Sequence, residues 1–420
     1  MTRFLVRPGH RIEGSVHIPG ATKNSGTKQM AAALLAPGVT RIANIPPVAD
    51  LDVMVELLGV LGAQVEWPTP DTISIDATYD LEPEAPYEIV SRMRASINVL
   101  GPLLARAGEA RVAMPGGDNI GSRKINMHLG GFEALGAEIE VSHGYIEARA
   151  PSGLSGGRIV LEFPSVGATE NLLTATVRAK GTSVIENAAR EPEITDLCAF
   201  LNRMGAHIAG AGSSTLEIEG VESLHAVESE LMGDRIEAGT LIMACGIAGG
   251  EIELTGVRPE HLELVTMKLG EMGMRVSPTP DGLWAHARRR LTAVDVATLP
   301  FPGFATDFMP MVVALLAVAD GTAIVTENVY DGRFQFVDEL ARMGADVRNE
   351  GRHAVVRGVE RLSGAPVQAS DVRAGAALTI AGLAAEGETI VYNCEHVDRG
   401  YPDLPAQLRA LGADVSRMTR

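Results

Sequence analysis

Hydrophobic positions along the chain form two alternating kinds of segment. Residues 29–36, 95–105, 172–179, 239–248, 308–319 and 375–385 are more uniformly apolar than the rest of the chain. A helix that is apolar all round is enclosed on all sides, so six buried helices are predicted. Segments of the second kind, such as 52–61, carry apolar residues at helical spacing on one face and predict half-exposed helices. Each of these ends in one phrase: Leu or Met, Gly, a small residue, a polar residue and a β-branched residue. Its glycines are Gly62, Gly136, Gly205, Gly273, Gly344 and Gly412, about 70 residues apart. A glycine there fits the left-handed position after a helix, with a short strand to follow. Strands also follow the buried segments, as in GTSVIENA and GTAIVTEN. The predicted unit is strand, buried helix, strand, half-exposed helix, strand, made six times over. The fold class is α/β.

The length of 420 residues exceeds one ordinary domain and suits two domains of three units each. Hydrophobic residues make up 46% of the chain but aromatics only 4%, so the cores are aliphatic. A net charge of −17 argues against duplex nucleic acid or an anionic membrane surface as the main partner. It leaves a small anionic substrate open, because a cleft can be basic on an acidic protein. No apolar run reaches the roughly 18 residues of a membrane span, and no signal-peptide core opens the chain. Cys198, Cys245 and Cys394 are too widely spaced for a zinc knuckle or a disulfide framework. A soluble, cytoplasmic protein is expected.

Charged residues sit where helix starts do not favour them. Lys23, Arg94, Thr169, Arg235, Asp307 and Arg373 occupy equivalent places just before or at the start of the buried helices, and four of the six are cations. A cation at the positive end of a helix is unfavourable by about 0.3–1 kcal/mol. An anion shared between several such helix starts reverses that sign. Taken singly, each cation has a local alternative, as Arg235 has in Asp234 or Glu237. A second cluster lies in MPGGDNIGSRK, where glycines around Asp118 suggest a loop able to close over a ligand and carry Arg123 with it. Arg333 and Arg399 follow later strands, and surface pairing with Asp331 and Asp398 is their alternative. No Walker A, HExxH or G-x-G-x-x-G at a strand–helix junction occurs. The G-x-S-x-G match at Ser155 leads into a strand, whereas a nucleophile elbow leads into a helix, so it is set aside.

The six units, the Lys-Asn pair after an early Gly, PGGDNIG, SVGATEN, NAAREPEI, the TD pair near residue 307, DVRAG and VDRGYP occur together and in order. In these motifs the chain resembles the UDP-N-acetylglucosamine 1-carboxyvinyltransferase family, relatives of the shikimate-pathway enolpyruvyl transferases, from end to end. Lys23-Asn24 stands where the shikimate branch typically shows a Ser-Lys-Ser element. The resemblance implies a two-domain inside-out α/β barrel, one domain near 23–232 carrying the Asp118 loop, the other formed by 1–22 with 233–420, and the active site in the cleft between them. It implies transfer of the enolpyruvyl group of phosphoenolpyruvate to the 3-hydroxyl of UDP-N-acetylglucosamine with release of phosphate, the first committed step of peptidoglycan precursor synthesis. No metal or organic cofactor is implied.

By resemblance, Lys23, Asn24, Arg123, Arg373 and Arg399 bind phosphoenolpyruvate. Asn24, Arg94, Arg123, Lys124, Ile125, Asn126, Met127, Ser165, Val166, Asp307 and Val329 contact the nucleotide-sugar. Asp307 is the general base on the reacting hydroxyl, and Asp118 donates a proton to the phosphoenolpyruvate methylene; Lys23 and Arg399 complete the catalytic set. An ordinary aspartate is a poor proton donor at neutral pH, so donation from position 118 calls for a desolvated, substrate-loaded site. The commoner family residue there is Cys, and insensitivity to fosfomycin, which traps a thiolate, is expected. Three departures stand out: Thr22 is inserted before Lys23, where the family reads Gly-Ala-Lys-Asn; Lys124 and Asn126 replace a common Pro and Asp; and Phe308-Met309 follow Asp307. Two alternatives stay open, an enolpyruvyl transferase acting on another nucleotide or nucleotide-sugar, and a non-catalytic nucleotide-binding scaffold. Oligomeric state is not legible.

Overall fold

The computed structural model describes residues 2–288 and 290–419. The chain forms two compact units, one of Gly20–Gly117 with Lys124–Met232, the other of Met1–Pro19, Asp118–Arg123 and Gly233–Arg420. The short segment Asp118–Arg123 therefore packs with the second unit, although its flanks belong to the first.

Buried helices form the centre of each unit. In the first they are α1 (Thr27–Ala33), α2 (Leu100–Ala107) and α3 (Val166–Thr176). In the second they are α4 (Arg235–Ala248), α5 (Met309–Ala317) and α6 (Val372–Gly382), with every residue of α5 and α6 buried. Close approach needs glycine at the contacts. A side chain on Gly101 of α2 would meet the Asn171 carbonyl of α3 at 2.3 Å, and one on Gly239 of α4 would meet Phe308 at 2.3 Å.

Among the described residues, each unit has three four-stranded sheets of one pattern: a parallel pair, then two antiparallel steps. In one, Arg158–Val160 pairs parallel with Thr182–Glu186, which pairs antiparallel with Thr215–Glu219 and that with His207–Ala209. The last predicted strand is thus a hairpin of two. In the sheet of Pro366–Gln368 and Thr389–Tyr392 the N-terminal strand Thr2–Arg7 takes the third place, beside Asp414–Thr419.

The recurring glycine phrase is a helix stop. All six glycines have φ between +86° and +101°. In each case the N–H of the residue after the glycine bonds a carbonyl five residues back: Ala63 to Leu58, Ala137 to Phe132, Ala206 to Leu201, Met274 to Leu269, Ala345 to Leu340 and Ala413 to Leu408, at 3.0–3.1 Å. This is a Schellman closure, in which the residue after the glycine also packs on the apolar side chain it bonds back to. Among the described residues, no helix is long and apolar enough to cross a membrane. The three cysteines are buried and unpaired.

Candidate functional site

In the second unit, Asp307 lies in the turn Thr306–Phe308 leading into α5, and Arg373 is the second residue of α6. Arg333 Nη2 donates to Asp307 Oδ1 at 2.6 Å, and Arg373 Nη2 donates to Asp307 Oδ2 at 3.3 Å. The arginine side chains are 4% and 2% exposed against 29% for Asp307, so two enclosed guanidiniums share one carboxylate that reaches solvent. Burial opposes the charge of Arg333, but Asp307 outweighs it and raises the pKa. For Arg373 burial is likewise outweighed, by Tyr401 and then Asp307. Arg333 Nε and Arg373 Nη1 are buried without an acceptor. Arg373 also lies against the Tyr401 ring, whose hydroxyl bonds Thr240 Oγ1 of α4 at 2.8 Å.

The surface partners considered for Arg333 and Arg399 are engaged by other arginines. Asp331 is taken by Arg352 and Asp398 by Arg417, while Arg399 donates to Asp118. The Arg399 and Asp118 side chains are 16% and 13% exposed. Arg123 lies over the Tyr330 ring, 5.8 Å from its centre. Glu327, which the sequence reading missed, organises this segment. One of its oxygens accepts the Val329 and Tyr330 N–H groups at 2.7 and 3.0 Å, and the other accepts the Thr306 hydroxyl at 2.8 Å. An acid directly after the apolar strand Thr322–Thr326 was its only signal.

In the first unit, Lys23 and Asn24 lie in a wide helical turn, Thr22–Gly26, that runs into α1. Lys23 Nζ is 3.4 Å from Asp50 Oδ2 in the first turn of the helix Ala49–Val60. Arg94 begins the turn Arg94–Val99 ahead of α2. Gly116 and Gly117 of the Asp118 motif have a packing reason for being glycine. A side chain on Gly116 would overlap the Ser91 carbonyl, and one on Gly117, whose φ is +108°, would press on Arg94 at 3.0 Å. Lys124 and Asn126 are exposed, Met127 is half-buried and Ile125 is buried, where the helix Asn126–Ala134 begins. Ser165 caps α3, its hydroxyl accepting the Ala168 N–H at 3.3 Å, and Val166 is the first residue of that helix.

Thr169 is structural, its hydroxyl accepting the Ala189 N–H at 3.0 Å. Next to it, buried Glu170 accepts from Asn98 Nδ2 at 2.8 Å. Burial raises the Glu170 pKa to about 7, against the opposing pull of Lys28. Burial, helped by Arg94, pushes His128 down to about 3, so it is a neutral neighbour of Asn171. Among the described residues no group of three His, Cys, Asp or Glu side chains could hold a metal ion. Ser155 sits in a loop ahead of the strand Arg158–Val160, not at an elbow.

The family model described as EPSP synthase (3-phosphoshikimate 1-carboxyvinyltransferase) matches residues 6–408. The UDP-N-acetylglucosamine 1-carboxyvinyltransferase of Corynebacterium jeikeium (strain K411) is 51% identical over 417 residues, 99% of each chain. The protein of the same name from Gluconobacter oxydans (strain 621H) is 51% identical over 419 residues, 100% of each chain. Among solved structures, the enolpyruvyl transferase NikO from Streptomyces tendae matches with a TM-score of 0.87 at 28% identity, covering 100% of this chain and 99% of its own. EPSP synthase from Acinetobacter baumannii matches with a TM-score of 0.75 at 17% identity over 100% of both, a likeness of fold alone.

Proposed function

We propose that this chain, which belongs to the EPSP synthase (3-phosphoshikimate 1-carboxyvinyltransferase) family, transfers the enolpyruvyl group of phosphoenolpyruvate to the 3-hydroxyl of UDP-N-acetylglucosamine and releases phosphate. Relatives at 51% identity over nearly the whole chain carry the name of that activity. In this reading the fold is six units of about 70 residues, three in each of two inside-out domains, supported by the common pattern of the four-stranded sheets. The domains are 23–232 and 1–22 with 233–420. A cytoplasmic setting is supported by the three buried thiols that remain unpaired.

The observation that carries the reaction is Asp307 between two buried arginines. Phosphoenolpyruvate brings a carboxylate and a phosphate, and cations already enclosed by protein bind such groups without first shedding water. Lys23, Asn24, Arg123, Arg373 and Arg399 are assigned to phosphoenolpyruvate. Asn24, Arg94, Arg123, Lys124, Ile125, Asn126, Met127, Ser165, Val166 and Val329 are assigned to the nucleotide-sugar. Asp307 accepts the proton of the sugar hydroxyl as its oxygen attacks C2 of phosphoenolpyruvate, and Asp118 gives a proton to C3. The product is a tetrahedral phosphate ketal. Loss of a C3 proton and departure of phosphate from C2 restore the double bond, now on the sugar ether. The Arg399–Asp118 bond means that an anion binding Arg399 also changes the surroundings of the proposed acid.

The test is release of phosphate from phosphoenolpyruvate with and without UDP-N-acetylglucosamine. Release that depends on this acceptor is expected. Release only with another nucleotide would move the protein to a different acceptor. No release with any acceptor, despite nucleotide binding, would leave a scaffold.

A further inference from the structure

The turn that presents Lys23 and Asn24 is not an ordinary helical turn. Gly26 N–H bonds the Ala21 carbonyl, and Thr27 N–H reaches the Thr22 carbonyl, both five residues back. A single wide turn of this kind is how a helix absorbs one extra residue, and such turns collect at functional sites. Thr22 is the first residue of this turn and Lys23 the second.

Side chains hold the turn in place on two sides. Thr22 is 2% exposed, and its hydroxyl donates to the Pro46 carbonyl at 2.9 Å. Ser25 Oγ donates to Asp196 Oδ2 at 2.6 Å, and Gln29 Nε2 donates to the same oxygen at 2.8 Å. The Lys23 carbonyl, displaced from regular helical bonding, receives Thr27 Oγ1 at 3.1 Å and Lys28 Nζ at 2.8 Å. Burial lowers the Lys28 pKa, with Glu170, Asp50 and Glu193 acting the other way. A lysine serving only solubility would keep its ammonium in water. This one is folded back five residues, where the charge is costly, to close a backbone carbonyl.

We propose that Thr22 and Lys28 are positioning residues, and that the wide turn they hold sets where Lys23 and Asn24 present their side chains. The role rests on the assignment of Lys23 to phosphoenolpyruvate. Neither residue touches substrate in this proposal; both act through the backbone that carries Lys23.

The experiment measures phosphate release by the full-length enzyme and its Lys28→Met, Lys28→Arg and Thr22→Val variants, with KM for each substrate, kcat and Tm. Lys28→Met is expected to raise KM for phosphoenolpyruvate by about tenfold or more, with a smaller change for UDP-N-acetylglucosamine. Lys28→Arg, which keeps a charged donor, is expected to recover most of that loss. Thr22→Val keeps the buried shape, removes the hydroxyl that donates to Pro46 and, at 3.5 Å, to Gly20, and moves the same KM in the same direction. Unchanged KM for phosphoenolpyruvate in both Lys28→Met and Thr22→Val overturns the proposal. So does a uniform loss that follows Tm and is not recovered by arginine. If the unaltered enzyme releases no phosphate, the assigned reaction falls and this role with it; if it is active and the variants match it, only the positioning role falls.

Discussion

Asp307→Asn tests the cluster at its centre, because it keeps the shape and removes the charge that two arginines share. Breaking a buried ion pair by removing one partner costs about 3–5 kcal/mol. Asp307 is 29% exposed, so solvent screens part of that loss, and about 2–3 kcal/mol is the expected cost. The amide oxygen still accepts from one guanidinium, but its NH2 then faces the other, donor against donor. For a unit of about 200 residues, 1 kcal/mol corresponds to about 2–4 °C in Tm, which puts the fall at roughly 4–12 °C. The vacated counter-charge gives a second signature. Inorganic phosphate should raise the Tm of the variant more than that of the unaltered protein, since Arg333 and Arg373 gain an anion in place of the one removed. In phosphate release, loss of the proposed general base should lower kcat by about 100-fold to 10,000-fold. Thermal unfolding with and without phosphate, and initial rates, read all three. A Tm within about 1 °C of the parent, with no added response to phosphate, would refute the electrostatic account. Turnover within about tenfold would refute Asp307 as the base.

Asp118→Asn should abolish phosphate release while calorimetry still detects UDP-N-acetylglucosamine binding; retained turnover would remove Asp118 from the acid role. Fosfomycin should leave the enzyme active after long incubation, because Asp118 supplies a carboxylate where the epoxide needs a thiolate, and a covalent adduct on Asp118 by mass spectrometry would contradict this. Glu170, raised by burial to about 7, predicts a pH dependence of stability. Between its ordinary pKa and about 7, the folded state holds a proton that the unfolded state has lost, so stability falls as pH rises through that window, by about 3 kcal/mol at most. Glu170→Gln should flatten that fall in urea unfolding at pH 5 and pH 8, and identical slopes for the two proteins would reject it.

The helix stops were legible because the requirement is local. A glycine with positive φ and an apolar residue four positions before it specify the closure at all six places, whether a small residue or Met274 follows the glycine. Ion-pair partners were not legible, since sequence neighbours such as Arg399 and Asp398 need not face each other. Asp398 instead meets Arg417, carried on the strand beside the N terminus, and Arg399 meets Asp118, far away in the chain. The cations at helix starts call for a finer argument than the dipole alone. Asp234, directly before Arg235, and Asp371, two residues before Arg373, accept N–H bonds from the first turns of α4 and α6. Those caps satisfy the helix ends and offset most of the dipole cost that Arg235 and Arg373 would otherwise feel. What calls for an anion is therefore not the helix but the enclosure. Arg333 and Arg373 are almost wholly removed from water, share one carboxylate that is itself partly in solvent, and keep buried N–H groups with no acceptor. Asp371 also favours the charge on Arg333 and Asp234 that on Arg373, so in the proposed function a substrate anion would supply the acceptors that these buried N–H groups lack. These enclosed arginines lie in an acidic protein, so the net charge of −17 says nothing about the charge of a local site.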